Sequence, residues 1–454
     1  MNKILFILSA SVFFSCNSSE ESVDQPQPPN IIFIMADDMG YGDLGCYGQQ
    51  VIQTPHIDQL ATEGMRFTQC YAGSTVCAPS RSVLMTGQHT GHTTVRGNMS
   101  KTGGVPPEGR VPLNEEDVTV AEVLKEAAYV TGMTGKWGLG EPGTSGLPNL
   151  QGFDEWFGYL NQRHAHEYYP PYLWNNQDSV ILEGNQDGKQ EQYSHDLFTE
   201  FALDFIEKYR DTTFFLYLPY TIPHDKYQIP DLGIYADEDW EEDAKVHAAM
   251  ITRMDADIGK IMALLKETGI DNNTIVFFCS DNGAAQRWDG RFDSSGPLRG
   301  HKRDMYEGGI RTPMIVRYPG KVAANTTSEL LWYFPDVLPT LADLANVQAP
   351  PQIDGVSVLP TLFGEPQDFS DRFLYWEFYE QGFQQAVRWG KWKGVKLAPG
   401  QPWELYDLSA DLAEENNLAD QHPDIIEHIE EYVQNNRTES PHWPTSTETS
   451  TANL

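Results

Sequence analysis

Three stretches of this chain are apolar at almost every position and stop abruptly at polar groups. Ile31 to Met35 runs into Asp37-Asp38, "TFFLYLPY" leads toward Pro223-His224, and "TIVFFC" runs into Ser280-Asp281-Asn282-Gly283. A strand with no polar alternation is buried on both faces, which requires helices above and below a largely parallel sheet. Helical patterns lie between these runs, around Ile57–Arg66 and Val118–Ala128, in "SHDLFTEFALDFIEKYR" with Ser194 as expected N-cap, and over Asp239–Glu267. Met250, Met254, Ile258, Ile261 and Leu265 recur there at helical spacing and read as core. "YVTGMTGKW" is a further strand. The alternation predicts an α/β fold with a mostly parallel central sheet flanked by helices.

The pattern changes near Asn346–Gly355. Beyond it "FLYWEFY", "FQQAVRW", "KWKGVKL" and "WELYDL" predict a small antiparallel sheet, followed by a helix over Pro423–Asn435. The expected organisation is a catalytic domain over 30–349, a C-terminal antiparallel-sheet-plus-helix subdomain over 350–437, and a Ser/Thr-rich disordered tail over 438–454. At the other end, Lys3, the apolar run Ile4–Phe14 and Ser15-Cys16 form an export signal too short to span a bilayer. Residues 1–16 resemble a bacterial lipoprotein signal, with lipid added to Cys16 as a membrane anchor, and 17–29 form a polar tether. Glu20 and Glu21 resemble a signal for the outer cell surface. The expected location is an outer-membrane lipoprotein facing the periplasm or the cell surface, or otherwise the periplasm.

The formal net charge of −34 excludes nucleic acid as a partner, because phosphate binding needs a basic footprint. An anionic substrate then requires cations collected locally. With Cys16 lipidated and Cys77 reserved, Cys46, Cys70 and Cys279 allow at most one disulfide, so Cys77 is not there for stapling. It opens "CAPSRSVLMTG", a short helix with Pro79 tolerated in its first turn and Gly87 as its stop. A helix N-terminus favours an anion.

In open α/β sheets the crevice lies at the carboxyl ends of the strands. Asp37, Asp38, Asp281 and Asn282 can therefore meet there as an oxygen-rich set suited to a hard cation. Arg81, one turn into the Cys77 helix, Lys136 in "TGKWGLG" and Lys302 in "GHKRDMYEGGIRTP" supply positive charge. Gly308-Gly309 in the last block implies close backbone approach, and His224 lies at the same sheet edge.

"CAPSR" matches the C-x-P-S-R signature of type I, formylglycine-dependent sulfatases of the alkaline-phosphatase superfamily. Asp37-Asp38, "TGKWGLG", Pro223-His224, "SDNG", "GHKRDMYEGGIRTP" and "ELYDLSADLAEENNLAD" resemble that family's other blocks in the family's order. The resemblance implies an alkaline-phosphatase-like fold and sulfate-ester hydrolysis. It implies that a maturation enzyme oxidises Cys77 to formylglycine, whose gem-diol attacks sulfur, passes through a sulfo-enzyme and releases sulfate. Asp37, Asp38, Cys77, Asp281 and Asn282 would hold Ca²⁺, in preference to Mg²⁺. Arg81 would steady the formylglycine hydroxyls, Lys136 and Lys302 would bind sulfate oxygens, and His224 with Lys302 would protonate the leaving oxygen.

The family often has a histidine, used in sulfate elimination, where this chain has Gly138. "YLNQRHAHEYYPPYLW" offers His164 or His166 in its place, and the block resembles bacterial carbohydrate sulfatases. The implied substrate is a sulfated glycan, with exo action on 4-O-sulfated galactose or N-acetylgalactosamine. Trp156, Trp174 and Trp389 are candidates for stacking on sugars. Two other readings are a phosphonate or phosphodiester hydrolase of the same superfamily and a catalytically silent, surface glycan-binding lipoprotein.

Overall fold

The computed structural model describes residues 28–286, 288 and 290–445. The export signal with Cys16, the tether up to residue 27 and the tail from residue 446 lie outside the described residues. Eleven strands form one sheet: β1 (Asn30–Ala36), β2 (Met65–Tyr71), β3 (Val130–Lys136), β4 (Glu155–Tyr159), β5 (Tyr172–Asn175), β6 (Asp178–Ile181), β7 (Phe214–Pro219), β8 (Thr274–Ser280), β9 (Arg311–Arg317), β10 (Thr326–Ser328) and β11 (Trp332–Tyr333). Their order is β10-β2-β9-β8-β1-β7-β3-β4-β5-β6, with β11 added beside β2. The five central strands, β8-β1-β7-β3-β4, are mutually parallel, and antiparallel strands extend the sheet on both sides. Every residue of β1, β7 and β8 is buried, as their unbroken apolar sequences require.

Helices α1 (Pro55–Glu63), α2 (Cys77–Thr86), α3 (Val120–Glu126), α4 (Ser194–Tyr209), α5 (Glu242–Glu267), α6 (Glu307–Ile310) and α7 (Val337–Leu344) accompany this sheet. Alternate residues of β1 enter two cores, one containing α2, α3 and α7 and the other α1, α4 and α5. Two local expectations need correction. The pattern read as helix to Arg66 breaks at Gly64, where a side chain would meet the carbonyl of Val316 at 2.3 Å, and β2 begins at Met65. Ser194 is the first residue of α4 rather than its cap, and Tyr193 holds the cap position.

The smaller layer contains β12 (Phe373–Phe378), β13 (Gln384–Trp389), β14 (Trp392–Lys396) and β15 (Glu404–Asp407), an antiparallel sheet in sequence order, with α9 (Pro423–Asn435) against it. It begins later than the composition change, because Ile353, Val358 and Leu362 still pack into the larger core around the short α8 (Leu359–Leu362). The expectation of disorder from residue 438 is also corrected over 438–445. Arg96 donates to the Thr438 carbonyl at 2.8 Å, Thr438 N donates to Gly91, and Trp443 is buried with its indole bonded to the Thr94 carbonyl. One aromatic anchor outweighs the Ser/Thr-rich composition around it. Among the described residues, Cys46, Cys70, Cys77 and Cys279 are free thiols, and no helix is long and apolar enough to cross a membrane.

Candidate active site

β1 and β8 pair in register, Ala36 opposite Ser280, so the residues that follow leave the sheet side by side. The Asp281 amide donates to the Ala36 carbonyl, and Asp38 N donates to Asp281 Oδ1 at 3.1 Å. Asp38 turns the chain with a φ of 65°, a left-handed conformation that aspartate tolerates better than most residues. Lys136 ends β3, and His224 follows β7 by a short turn. The backbone carrying Lys302 is held close, since a Cβ at Gly283 would lie 1.9 Å from the Gly308 carbonyl. The close approach expected of Gly308-Gly309 is therefore present.

Cys77 opens α2, and Gly87 ends it with a φ of 70°. Its Sγ is 3.3 Å from Asp37 Oδ1, and Lys302 Nζ lies 3.7 Å from the sulfur. Burial and the neighbouring Asp37 push the thiol well above its ordinary value. The helix terminus itself offers little to an anion. Ala78 N is taken by Asn98 Oδ1, Pro79 has no N–H, and Ser80 N bonds Val76. The attraction for an anion comes from side chains instead.

Those side chains form an interlocked buried set. Lys136 Nζ is 2.7 Å from Asp37 Oδ2, and Lys302 Nζ is 2.6 Å from Asp38 Oδ2. His224 Nε2 lies 3.2 Å from Lys302 Nζ and 3.3 Å from Asp38, while its Nδ1 faces Asp225 Oδ1 at 2.8 Å. Burial alone would raise the Asp37 carboxyl, but Lys136, His224 and Arg81 hold it well below the usual carboxylate range. The His224 contact pulls Asp225 down to about 2. Arg81 lies beneath, clamping Asp281 Oδ2 through Nε and Nη2 at 3.1 and 2.8 Å and the Lys136 carbonyl through Nη1. In this arrangement it orients Asp281 and Lys136, and its Nη2 lies 3.6 Å from Asp37, the carboxylate beside Cys77.

The residues fit a divalent cation. Oxygens of Asp37 and Asp38 cluster with Cys77 Sγ and His224 within 4.8 Å, Asp281 packs directly behind, and Asn282 Oδ1 is buried without a partner among the described residues. Asn282 Nδ2 donates to Asp38 Oδ1 at 2.7 Å, so turning the amide over would present that orphaned carbonyl to the carboxylates as a hard-oxygen donor.

A cavity of about 550 Å³ opens over this set, lined by Asp38, Cys77, Lys136, His166, His224 and Lys302. The structure separates the two histidine candidates. His166 faces the cavity with its ring centroid 4.2 Å from that of His224, and burial lowers it to about 4. His164 packs instead between Tyr159 and Tyr172 and does not line the cavity. Trp156 is fully buried in the core, and neither Trp174 nor Trp389 lines the cavity, so these tryptophans are not its sugar platforms.

The structure adds residues the motifs did not mark. Gly138 has a φ of 78°, and a Cβ there would lie 2.1 Å from Gln162 Nε2, so Gln162 occupies the space a side chain at 138 would use. Glu108–Arg110 and Arg303–Glu380 ion pairs form the rim with Tyr227. Asp225 was findable, since it follows His224 directly; Gln162 was not, because its position depends on what Gly138 lacks.

A family model described as Sulfatase matches residues 29–347, and one described as N-sulphoglucosamine sulphohydrolase, C-terminal, matches residues 300–439. The chain is 32% identical to N-acetylgalactosamine-6-sulfatase of Mus musculus, over 92% of this chain and 80% of that protein. It is 30% identical to N-acetylgalactosamine-6-O-sulfatase of Bacteroides thetaiotaomicron, over 93% and 96%. Among solved structures it is similar to Ps i-CgsB in complex with k-i-k-neocarrahexaose, with a TM-score of 0.80 and 29% identity over 93% of this chain and 96% of that one.

Proposed function

We propose that this chain, which belongs to the sulfatase family and is a sulfuric ester hydrolase, removes sulfate from glycans containing galactose or N-acetylgalactosamine. The observation that carries the reading is the placement of Cys77, on a buried helix start, between the Asp37–Lys136 and Asp38–Lys302 pairs and under a single cavity. The names of the mouse and Bacteroides relatives and the carrageenan oligosaccharide bound by Ps i-CgsB support the sugar class. The 4-O position expected from sequence stands beside the 6-O position those relatives' names bring.

In this reading a maturation enzyme first oxidises Cys77 to formylglycine, which hydrates. One hydroxyl of residue 77 attacks sulfur, and the sugar oxygen leaves with a proton from His224 or Lys302. The second hydroxyl then loses its proton, with His166 the closest candidate base, as the carbon–oxygen bond to sulfate breaks and the aldehyde returns. Lys136 and Lys302 bind sulfate oxygens as it approaches and departs. Asp37, Asp38, Asp281, Asn282 and residue 77 would hold Ca²⁺, which when bound supplies Lewis-acid polarisation of a sulfate oxygen. Exo action is part of this reading. Export as a lipoprotein rests on residues 1–16.

The experiment is sulfate release from galactose and N-acetylgalactosamine carrying sulfate at O4 or O6, alongside a phosphodiester ester. Release from a sulfated sugar and none from the phosphodiester supports the reading. Release from the phosphodiester alone, or from neither class by protein carrying formylglycine, contradicts it.

A further inference from the structure

The closing block "ELYDLSADLAEENNLAD", residues 404–420, contributes nothing to the lining of the catalytic cavity, and neither does Arg299. The two are nevertheless built around each other. Glu404 to Asp407 form β15, and the chain then returns over it: Asn417 Oδ1 accepts from Leu405 N, and Leu418 N donates to the Leu405 carbonyl. Glu414 lies in this return with a φ of 53°. The result is a cradle, made by Glu404, the Tyr406 hydroxyl and the Glu414 carbonyl, against the loop from 299 to 308.

Arg299 fills that cradle. Its guanidinium lies over the Tyr306 ring, 3.7 Å from the centroid, and Nη1 donates to the Glu414 carbonyl at 2.6 Å and the Tyr406 hydroxyl at 3.1 Å. Tyr306 and Tyr406 both donate to Glu404 Oε2, at 2.8 and 2.7 Å. Gly308 N donates to the Arg299 carbonyl at 2.7 Å, which closes the base of the loop. The other side of the loop is pinned to the catalytic floor. Lys302 N donates to the Ala284 carbonyl, and Arg303 N to that of Thr75, two residues before Cys77. Between these anchorages Lys302 Nζ reaches Asp38 at 2.6 Å, His224 at 3.2 Å and the Cys77 sulfur at 3.7 Å.

We propose that Arg299 is a positioning residue for Lys302, and that the closing block serves the reaction by holding this loop from behind. The inference rests on the role given to Lys302 above. A lysine ammonium on a flexible stem is placed only as well as its backbone, and small displacements of such a group cost rate steeply. A planar guanidinium that covers one ring of the loop while bonding two groups of the smaller layer fixes distance and angle together. Cohesion between the layers does not require it. Met305, Ile310, Leu374, Trp376 and Leu408 already pack there as buried core, whereas Arg299 is only half-buried.

The test is a double-mutant cycle on a sulfate ester, with each rate referred to the formylglycine fraction at residue 77. Arg299→Met is expected to lower kcat by about 10–10²-fold while KM moves far less, and Arg299→Lys, which keeps the charge over Tyr306, to regain part of it. Lys302→Ala is expected to lose about 10²–10³-fold by itself. In that background Arg299→Met should cost less than about twofold, because the group it positions is gone. An equal loss in both backgrounds, or an unchanged rate in Arg299→Met, overturns the positioning role. A Lys302→Ala protein with the parent's rate overturns the role of Lys302 instead, and this inference with it. Should Arg299→Met fail to fold, Tyr406→Phe keeps the ring and removes only the hydroxyl that Arg299 shares with Glu404. It is expected to lose about 2–5-fold, again only while Lys302 is present, and a loss of the same factor in Lys302→Ala contradicts the proposal.

Discussion

His224 is held from three sides, by Asp225 on Nδ1 and by Lys302 and Asp38 on Nε2, which fixes its ring for proton transfer at one point in the cavity. If it protonates the departing sugar oxygen, its removal matters only where the leaving group needs a proton. His224→Ala is expected to lower kcat on a sugar sulfate by about 10²–10⁴ and to spare most of the activity on nitrophenyl sulfate. Equal losses on the two substrates would assign His224 to sulfate binding instead. At this scale the sequence was informative where chemistry is tied to strand ends. Asp37, Asp38, Asp281, Asn282, Lys136 and His224 converge because apolar runs end where they stand, and register then aligns them. It was uninformative where loops choose between neighbours, as with His164 and His166, two residues apart, of which only one faces the cavity.

Between elements, the large sheet and the smaller layer are joined by a buried charge cluster. Lys393 on β14 lies 3.0 Å from Glu307 on α6 and 3.4 Å from Glu414, all fully buried, and Glu307 also accepts from Tyr71 and Arg311. Against burial, Lys393 and Arg311 hold Glu307 at about 2, whereas burial and then Glu307 push Glu414 up to about 7. Lys393→Met leaves Glu307 only Arg311 and takes away the cation beside Glu414, and is expected to cost about 3–5 kcal/mol, read as a lowered denaturation midpoint. Glu414 has a folded value above the 4.5 of an ordinary glutamate, so its contribution is present below about pH 4.5 and lost as pH rises through about 7. Stability should therefore decline between pH 5 and 8, by about this group's share, and Glu414→Gln should flatten that decline; an unchanged slope would remove Glu414 from the account. None of these three residues drew attention in the sequence, because a salt bridge between separate layers has no local spacing to reveal it.

The whole molecule carries −34 charges and is proposed to take a polyanion. Its cations at the site are buried and paired, while most of the acidic surface is open to solvent. Screening should weaken the long-range repulsion more than the close contacts. For a multiply sulfated oligosaccharide, KM is expected to fall as ionic strength rises from about 0.01 M to 0.15 M, over which the Debye length shrinks from about 30 to 8 Å. A KM that rises over this range would mean that local attraction dominates. The overall architecture was legible in the alternation of buried strands and helices, and the smaller antiparallel layer in its short alternating runs. The packed segment up to residue 445 was not, since its order depends on where Trp443 lands rather than on composition.

The central claim is that sulfate-ester cleavage runs through formylglycine made from Cys77. It is tested most directly by the mass of the peptide spanning residue 77, taken from the same protein sample that is releasing sulfate. The account predicts formylglycine at residue 77, in a fraction that tracks the specific activity from one preparation to another. Sulfate release by protein in which residue 77 remains entirely a thiol would contradict it.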